Sequence, residues 1–288
     1  MTIRARVLAV VMALSSGMLL AAAPGGAPAA GPGRGAPGAT VGGAPGRGRG
    51  APLIPMSEPA DLPMVRVDQQ WSGRHTAFLQ TVQKGDVDLY LLGDSITDNW
   101  GGAQFRESYT KYFGGWKTAN FGIGGDRTEH VLWRIKNGEL DAPIKPKAIV
   151  LLIGTNNLPR TQYNYSAESP EETAKAVKEI LDVIKQKQPQ AKVLLVSVFP
   201  REDGLKSNPP EDLNPKVKAL NALIAKNADG KQIIYLDIYD KFLDENGKLK
   251  PGLMPNDGLH PVAAGYDIWG QAMMPILTEW LGAPKPKP

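Results

Sequence analysis

Residues 148–153 read Ala-Ile-Val-Leu-Leu-Ile, an apolar run without a single polar break. A run this short and this uniformly apolar is expected of a strand covered on both faces, the arrangement of parallel sheets packed between helices. Strand-like segments recur at 87–92, 117–121, 192–199 and 233–236. Helical patterns lie between them, at 128–136, from Ser169 onward, at 214–228 and at 262–281, with a kink expected at Pro275. The clearest helix opens on Ser169-Pro170-Glu171-Glu172, where serine caps, proline fits the first turn and Glu172 completes a capping box. Ala174, Val177, Ile180, Leu181 and Ile184 then form one apolar stripe at helical spacing, which reads as core. Strands alternating with helices predict an α/β domain, its mostly parallel sheet covered on both faces.

The amino terminus has a different character. Arg4 and Arg6 precede an apolar stretch over 7–20, broken only by Ser15, Ser16 and Gly17, and Ala21-Ala22-Ala23 follows. That order is expected of a signal peptide over residues 1–23, and the stretch is shorter than the ~20 residues a membrane span needs. Residues 24–58 are rich in Gly, Ala, Pro and Arg, with too little apolar surface to offset ordering, so they read as a disordered linker. A nucleic-acid arm is the competing reading of Arg34, Arg47 and Arg49, but no aromatic residue interleaves with them for base stacking. Residues 1–52 carry five arginines and no acid, so without them the formal net charge falls from +4 to −1. The basic charge therefore belongs to the leader and linker, and no nucleic-acid partner follows from it. Cysteine is absent, which removes disulfides, thiolate metal sites and a cysteine nucleophile together. Residues 59–288 are left as one domain, large enough to depend on its core alone. The expected location is secreted or periplasmic, with no stable membrane span once the leader is removed.

Four places in the domain carry chemistry. Ser95 follows the first strand directly, in Gly93-Asp94-Ser95-Ile96-Thr97. This is not the Gly-x-Ser-x-Gly elbow, and a serine after a strand is, taken alone, more often a helix cap than a nucleophile. Gly122, Gly124 and Gly125 lie between the second strand and a helix; their spacing departs from the dinucleotide-binding turn, and they read as backbone N–H brought close to a ligand. Asn156 follows the third strand, either offering its amide to an oxyanion or bonding its own turn. Asp257 and His260 sit three apart before the last helix, so the carboxylate can hold one imidazole nitrogen while the other faces a hydroxyl.

Each signal is modest; all four fall at carboxyl ends of strands or in the loop before the last helix. In that order they resemble the GDSL or SGNH hydrolase superfamily, named for its Ser, Gly, Asn and His. The likeness extends over 87–280. Through residues 120–139 and Ile144-Lys-Pro-Lys147 it is similar to the catalytic subunits of intracellular platelet-activating-factor acetylhydrolase. The resemblance implies a three-layer, flavodoxin-like α/β/α sandwich. It implies Ser95 as nucleophile, His260 as base, Asp257 as its orienter, and an oxyanion hole of the Ser95 N–H, the Gly125 N–H and the Asn156 side chain. Gly125 is preferred to Gly124 as the glycine directly before aspartate. Those acetylhydrolase subunits are cytosolic, whereas this chain reads as exported and tethered. The expectation is thus a secreted serine esterase for short, acetyl-type esters of a carbohydrate or small lipid, with no cofactor or metal. An acyltransferase with the same triad and a non-catalytic glycan-binding module are the alternatives; oligomeric state is left open.

Other residues receive structural readings. His130 is expected in a structural or surface role, and His75, with no acid nearby in sequence, at the surface. Asp94 is expected to bond backbone N–H groups around Ser95. Glu139 and Asp141 fall in a loop, and the six tryptophans read as core or rim.

Overall fold

Side chains alternate between two cores along every central strand of the sheet. The structure, a computed structural model, describes residues 59–159 and 166–285. Five strands, β1 (Leu89–Gly93), β2 (Thr118–Gly122), β3 (Ala148–Leu152), β4 (Lys192–Val196) and β5 (Ile233–Leu236), form one sheet in the order β2-β1-β3-β4-β5. All four pairings are parallel. Tyr90, Leu92, Ile149, Leu151, Val193 and Leu195 face helices α1 (Gln69–Lys84), α4 (Thr128–Arg134), α5 (Pro170–Lys187) and α6 (Asn214–Ile224). Leu89, Leu91, Val150, Leu152, Leu194 and Val196 face α3 (Arg106–Phe113) and α7 (Ala263–Leu281). The two-residue period of a strand thus feeds both outer layers, and the uninterrupted apolar runs are its consequence. The expected α/β/α sandwich, with flavodoxin-like strand order, is the observed architecture.

Several boundaries move for physical reasons. Helix α1 was not anticipated, because its buried face is only Trp71, His75, Phe78 and Val82, with a histidine inside the stripe. Its ends are ordinary: Asp68 caps it by accepting the Trp71 N–H at 2.7 Å, and Gly85 closes it at φ 68°. Strand β4 stops at Val196 and not at 199, since the Val198 N–H and C=O are taken by the Asn221 side chain at 2.8 and 2.9 Å. Helix α4 ends at Arg134, and residues 135–139 form a wider turn that Gly138 completes at φ 109°. Helix α6 ends at Ile224 and tightens into a 3-10 turn over Ala225–Asn227. The α5 capping box forms as expected, with Ser169 and Glu172 bonded reciprocally at 3.1 and 2.8 Å. Among the described residues no helix is long and apolar enough to cross a membrane. The expected signal peptide and linker, residues 1–58, lie outside the described residues.

Strand order places the site. The chain leaves β1 for its neighbour β2 on one side and later β3 on the other, so the loops after all three strands share one edge. A crevice opens where an open α/β sheet reverses its winding in this way. On the far layer, α3 and α7 meet at Gly270, where an added Cβ would fall inside the Tyr112 ring's contact distance. Gly270→Ala is expected to destabilise the fold by ~1–3 kcal/mol. Thermal unfolding followed by circular dichroism checks this, with activity per folded molecule unchanged well below the transition.

Candidate active site

Gly93 ends β1 where there is no room for a side chain, because a Cβ would overlap the Leu152 carbonyl and the Thr97 hydroxyl. The chain then turns through Asp94 into the short helix α2 (Ser95–Asp98). Asp94 caps that helix, its Oδ1 accepting the Ile96 N–H at 2.9 Å. This resolves the alternative of a capping serine: aspartate does the capping, and Ser95 occupies the first helical position. The cap is fully buried, and its Oδ2 has no partner among the described residues. Burial pushes the Asp94 carboxyl up to about 7, against the opposing pull of the Ile96 N–H and nearby His260.

The Ser95 hydroxyl lies 2.8 Å from His260 Nε2, across 165 residues of sequence. His260 Nδ1 lies 2.5 Å from Asp257 Oδ2. Asp257 Oδ1 meanwhile accepts the N–H groups of Leu259 and His260 at 2.9 and 2.8 Å, which shapes the loop that presents the ring. Burial raises the Asp257 pKa, but the donors from His260 and Leu259 outweigh it and hold the carboxyl below its ordinary range. An anionic Asp257 accepts the Nδ1–H, leaving Nε2 as the acceptor for the serine proton.

The other expected residues converge on the same place. Ser95, Gly124, Gly125, Asn156 and His260 line one cleft of about 1090 Å³. Its lining also carries the polar residues Asp203, Lys206, Ser207, Asn208 and Glu211 beside the apolar Pro159, Pro209, Pro210, Leu213 and Leu259. Asn156 donates one amide hydrogen to the Asp126 carbonyl at 2.9 Å; the amide carries two. Gly125 has φ 78°, a conformation that favours glycine. The Gly124 N–H donates to Asp98 Oδ2 at 3.3 Å, while among the described residues the Gly125 N–H meets no protein acceptor.

Beneath the glycine turn lies a charged layer that sequence reasoning missed. Arg134, fully buried, holds Asp126 Oδ2 at 2.9 Å and also Glu139. Asp126 Oδ1 accepts from the Trp71 indole at 2.8 Å and from Arg66 at 3.2 Å. Burial pushes the Asp126 carboxyl up to about 6, against the opposing pull of Arg134, Arg66 and the Trp71 indole. Glu139 is therefore an interior residue and not an exposed loop acid. His75 is also corrected: it is buried, with Nδ1 2.7 Å from Glu139 Oε1, a partner 64 residues away. His130 takes the structural option, fully buried and accepting the Arg127 N–H at 3.0 Å. Burial, then Arg66, Arg127 and Arg134, press its pKa to about 2, so it stays neutral. Arg127 pairs with Glu129 at 2.5 Å and Glu168 at 3.0 Å, and donates to the Asn156 carbonyl at 3.2 Å. Arg201 donates to both the carbonyl and hydroxyl of Thr155 and pairs with Asp203. A lone arginine carries no sequence signal for such roles, because its partners are set by the fold. Among the described residues no group of three or more His, Asp or Glu is placed to hold a metal ion.

Residues 91–268 match the model of the GDSL-like lipase/acylhydrolase family. The chain belongs to this family. It is 36% identical over 214 residues to platelet-activating factor acetylhydrolase IB subunit alpha2 of Rattus norvegicus, covering 73% of this chain and 86% of the relative. A GDSL-like lipase structure from Bacteroides thetaiotaomicron superposes with a TM-score of 0.57 at 24% identity, covering 74% of this chain and 98% of the other. An acetyl xylan esterase structure gives a TM-score of 0.52 at 19% identity, covering 66% and 98%. These two likenesses speak to the fold. The family resemblance read from the motifs is therefore correct, and the protein is an ester hydrolase of the GDSL type.

The elevated Asp94 pKa has a signed consequence for stability. Between pH 4 and 7 the folded chain keeps a proton that the unfolded aspartate has lost, so the contribution of Asp94 to stability falls as pH rises through that window. Relative to Asp94→Asn, the decline is expected at ~1 kcal/mol per pH unit. Urea unfolding at several pH values measures it, and a difference flat in pH would mean an ordinary carboxyl.

Proposed function

We propose that this protein is a secreted serine esterase that removes short acyl groups, acetyl above all, from oxygen esters through an acyl-enzyme. The observation that carries this reading is the continuous Ser95–His260–Asp257 hydrogen-bonded line, at 2.8 and 2.5 Å. His260 Nε2 takes the Ser95 proton as Oγ attacks the ester carbonyl carbon. The charge developing on the carbonyl oxygen is met by the Ser95 N–H, the Gly125 N–H and the Asn156 amide. Collapse breaks the bond to the alcohol, which leaves with the proton from His260. Water, deprotonated by the same ring, then attacks the acyl-enzyme; the free acid leaves and Ser95 regains its proton.

The substrates in view are an acetylated carbohydrate and a small lipid ester. The cleft lining offers Asp203, Lys206, Ser207 and Asn208, groups suited to hydroxyls, and Pro209, Pro210, Leu213 and Leu259, which suit apolar parts of an ester. Similarity to a platelet-activating factor acetylhydrolase supports acetyl as the acyl group. Export rests on residues 1–23 as a signal peptide, with 24–58 as the tether.

A chain-length series of p-nitrophenyl esters beside acetylated sugars tests the reading, with and without excess alcohol to reveal acyl transfer. Activity is expected to be highest on acetyl and to fall with chain length. Ser95→Ala should lose about 10⁶-fold in kcat, and Asp257→Asn about 10⁴-fold. Equal activity in Ser95→Ala and wild type would sink the nucleophile assignment.

A further inference from the structure

A backbone N–H serves an oxyanion only while its peptide plane keeps one orientation. The peptide is planar and trans, so the Gly124 C=O and the Gly125 N–H point to opposite sides of one plate. Two successive glycines make that plate the least restrained in the turn, with no Cβ on either side to oppose rotation. A flip would replace the donor facing Ser95 with a carbonyl oxygen, which repels a developing negative charge.

The plate is nevertheless gripped from behind. Arg66 Nη1 donates to the Gly124 carbonyl at 2.7 Å and to Asp126 Oδ1 at 3.2 Å. Its Nε donates to Asp68 Oδ2 at 2.9 Å, and Asp68 is the residue that caps α1. The glycine turn lies between Arg66 and Ser95. A Cβ on Gly124 would sit 3.9 Å from that of Ser95, and one on Gly125 would sit 3.5 Å from Arg66 Nη1. The segment bearing Arg66 is itself fastened to the helical layer. The Met64 N–H donates to the Glu129 carbonyl at 3.0 Å, the Thr128 hydroxyl to the Ala60 carbonyl at 3.1 Å, and Lys175 pairs with Asp61 at 2.6 Å. The arginine side chain is 15% exposed, so it works from a site largely withdrawn from water.

We infer that Arg66 is a positioning residue for the oxyanion hole: by holding the Gly124 carbonyl, it keeps the Gly125 N–H turned toward Ser95. The inference rests on the serine-esterase reading above. It extends the functional unit beyond residues 91–268, to the segment that leads into α1. Loss of the clamp lets the peptide flip, so a fraction of molecules lacks one donor at the moment charge develops. Substrate binding is left almost intact, because the ground-state carbonyl needs that donor far less.

The test is steady-state hydrolysis of p-nitrophenyl acetate by the full chain and its Arg66→Ala, Arg66→Gln and Arg66→Lys variants, with thermal unfolding of each. Val67→Ala, at a neighbouring side chain that is 87% exposed, is the control. Removal of an oxyanion donor lowers kcat by about 10²–10³-fold in a protease. A clamp acting through such a donor is expected to give a loss of about 10–100-fold in Arg66→Ala, with KM within threefold. Gln and Lys each retain an N–H for the Gly124 carbonyl and should recover part of the loss, and they keep the test open if the alanine variant folds poorly. A folded Arg66→Ala enzyme with kcat within twofold of wild type overturns the inference. So does a loss in all three variants that merely follows the folded fraction. Ser95→Ala, run in parallel, separates the two readings. If it is inactive while Arg66→Ala is unaffected, only the clamp fails; if it retains wild-type activity, the serine reading fails and takes the clamp with it.

Discussion

Strand β1 is hydrogen-bonded on both sides, to β2 and to β3, and the nucleophile and the oxyanion-hole loops take their positions from that double pairing. Registered parallel neighbours bring the three loops after these strands to the same edge, one bearing Ser95, one Gly124 and Gly125, one Asn156. The strand itself is fully buried, so it cannot shift without opening both cores. Gly93 lets the chain leave this rigid strand in a confined space, and Asp94 then directs it into helix α2. The serine is thus held by strand pairing below it and by a buried cap beside it.

The charged layer under the glycine turn is a second constraint of a different kind. Asp126, Arg134 and Glu139 are fully buried, and an unpaired charge there would destabilise the fold by several kcal/mol. Each is given more than one partner, which offsets desolvation and ties separate elements together. Asp126 alone joins α1 through Trp71, α4 through Arg134 and the lead-in segment through Arg66. The shared partners of Asp126 hold these three elements in one arrangement. Fixed geometry is what a pair of glycines lacks, so the network supplies the rigidity that the turn's own sequence gives up.

Helix α1 and the three histidines define how much the linear chain reveals. His260 is legible because its acid lies three residues away, within one loop. His75 is not, because Glu139 reaches it from 64 residues away, and Arg66 and Trp71 find Asp126 across similar gaps. The strands are legible because burial on two faces leaves an unbroken apolar run; α1 is hidden because only part of one face is buried and part of that is histidine. The end of β4 is misjudged for a related reason. Residues 197–199 stay buried, but at Val198 a side chain of α6 takes over the backbone bonding.

Local pattern, read without coordinates, determined the sheet-and-helix class, the Gly-Asp-Ser turn, the glycine pair, the asparagine and the Asp-His loop. These are properties of short segments, where strand period, steric need for glycine and hydrogen bonding between near neighbours leave a direct mark. Only the tertiary structure decided that Asp94 is the cap and Ser95 is not, and that Gly124 is engaged by Asp98 and Arg66 while Gly125 is not. Those outcomes depend on distances between segments far apart in the chain. Such distances are set by strand order and by the packing of two cores, and no stretch of sequence carries them alone.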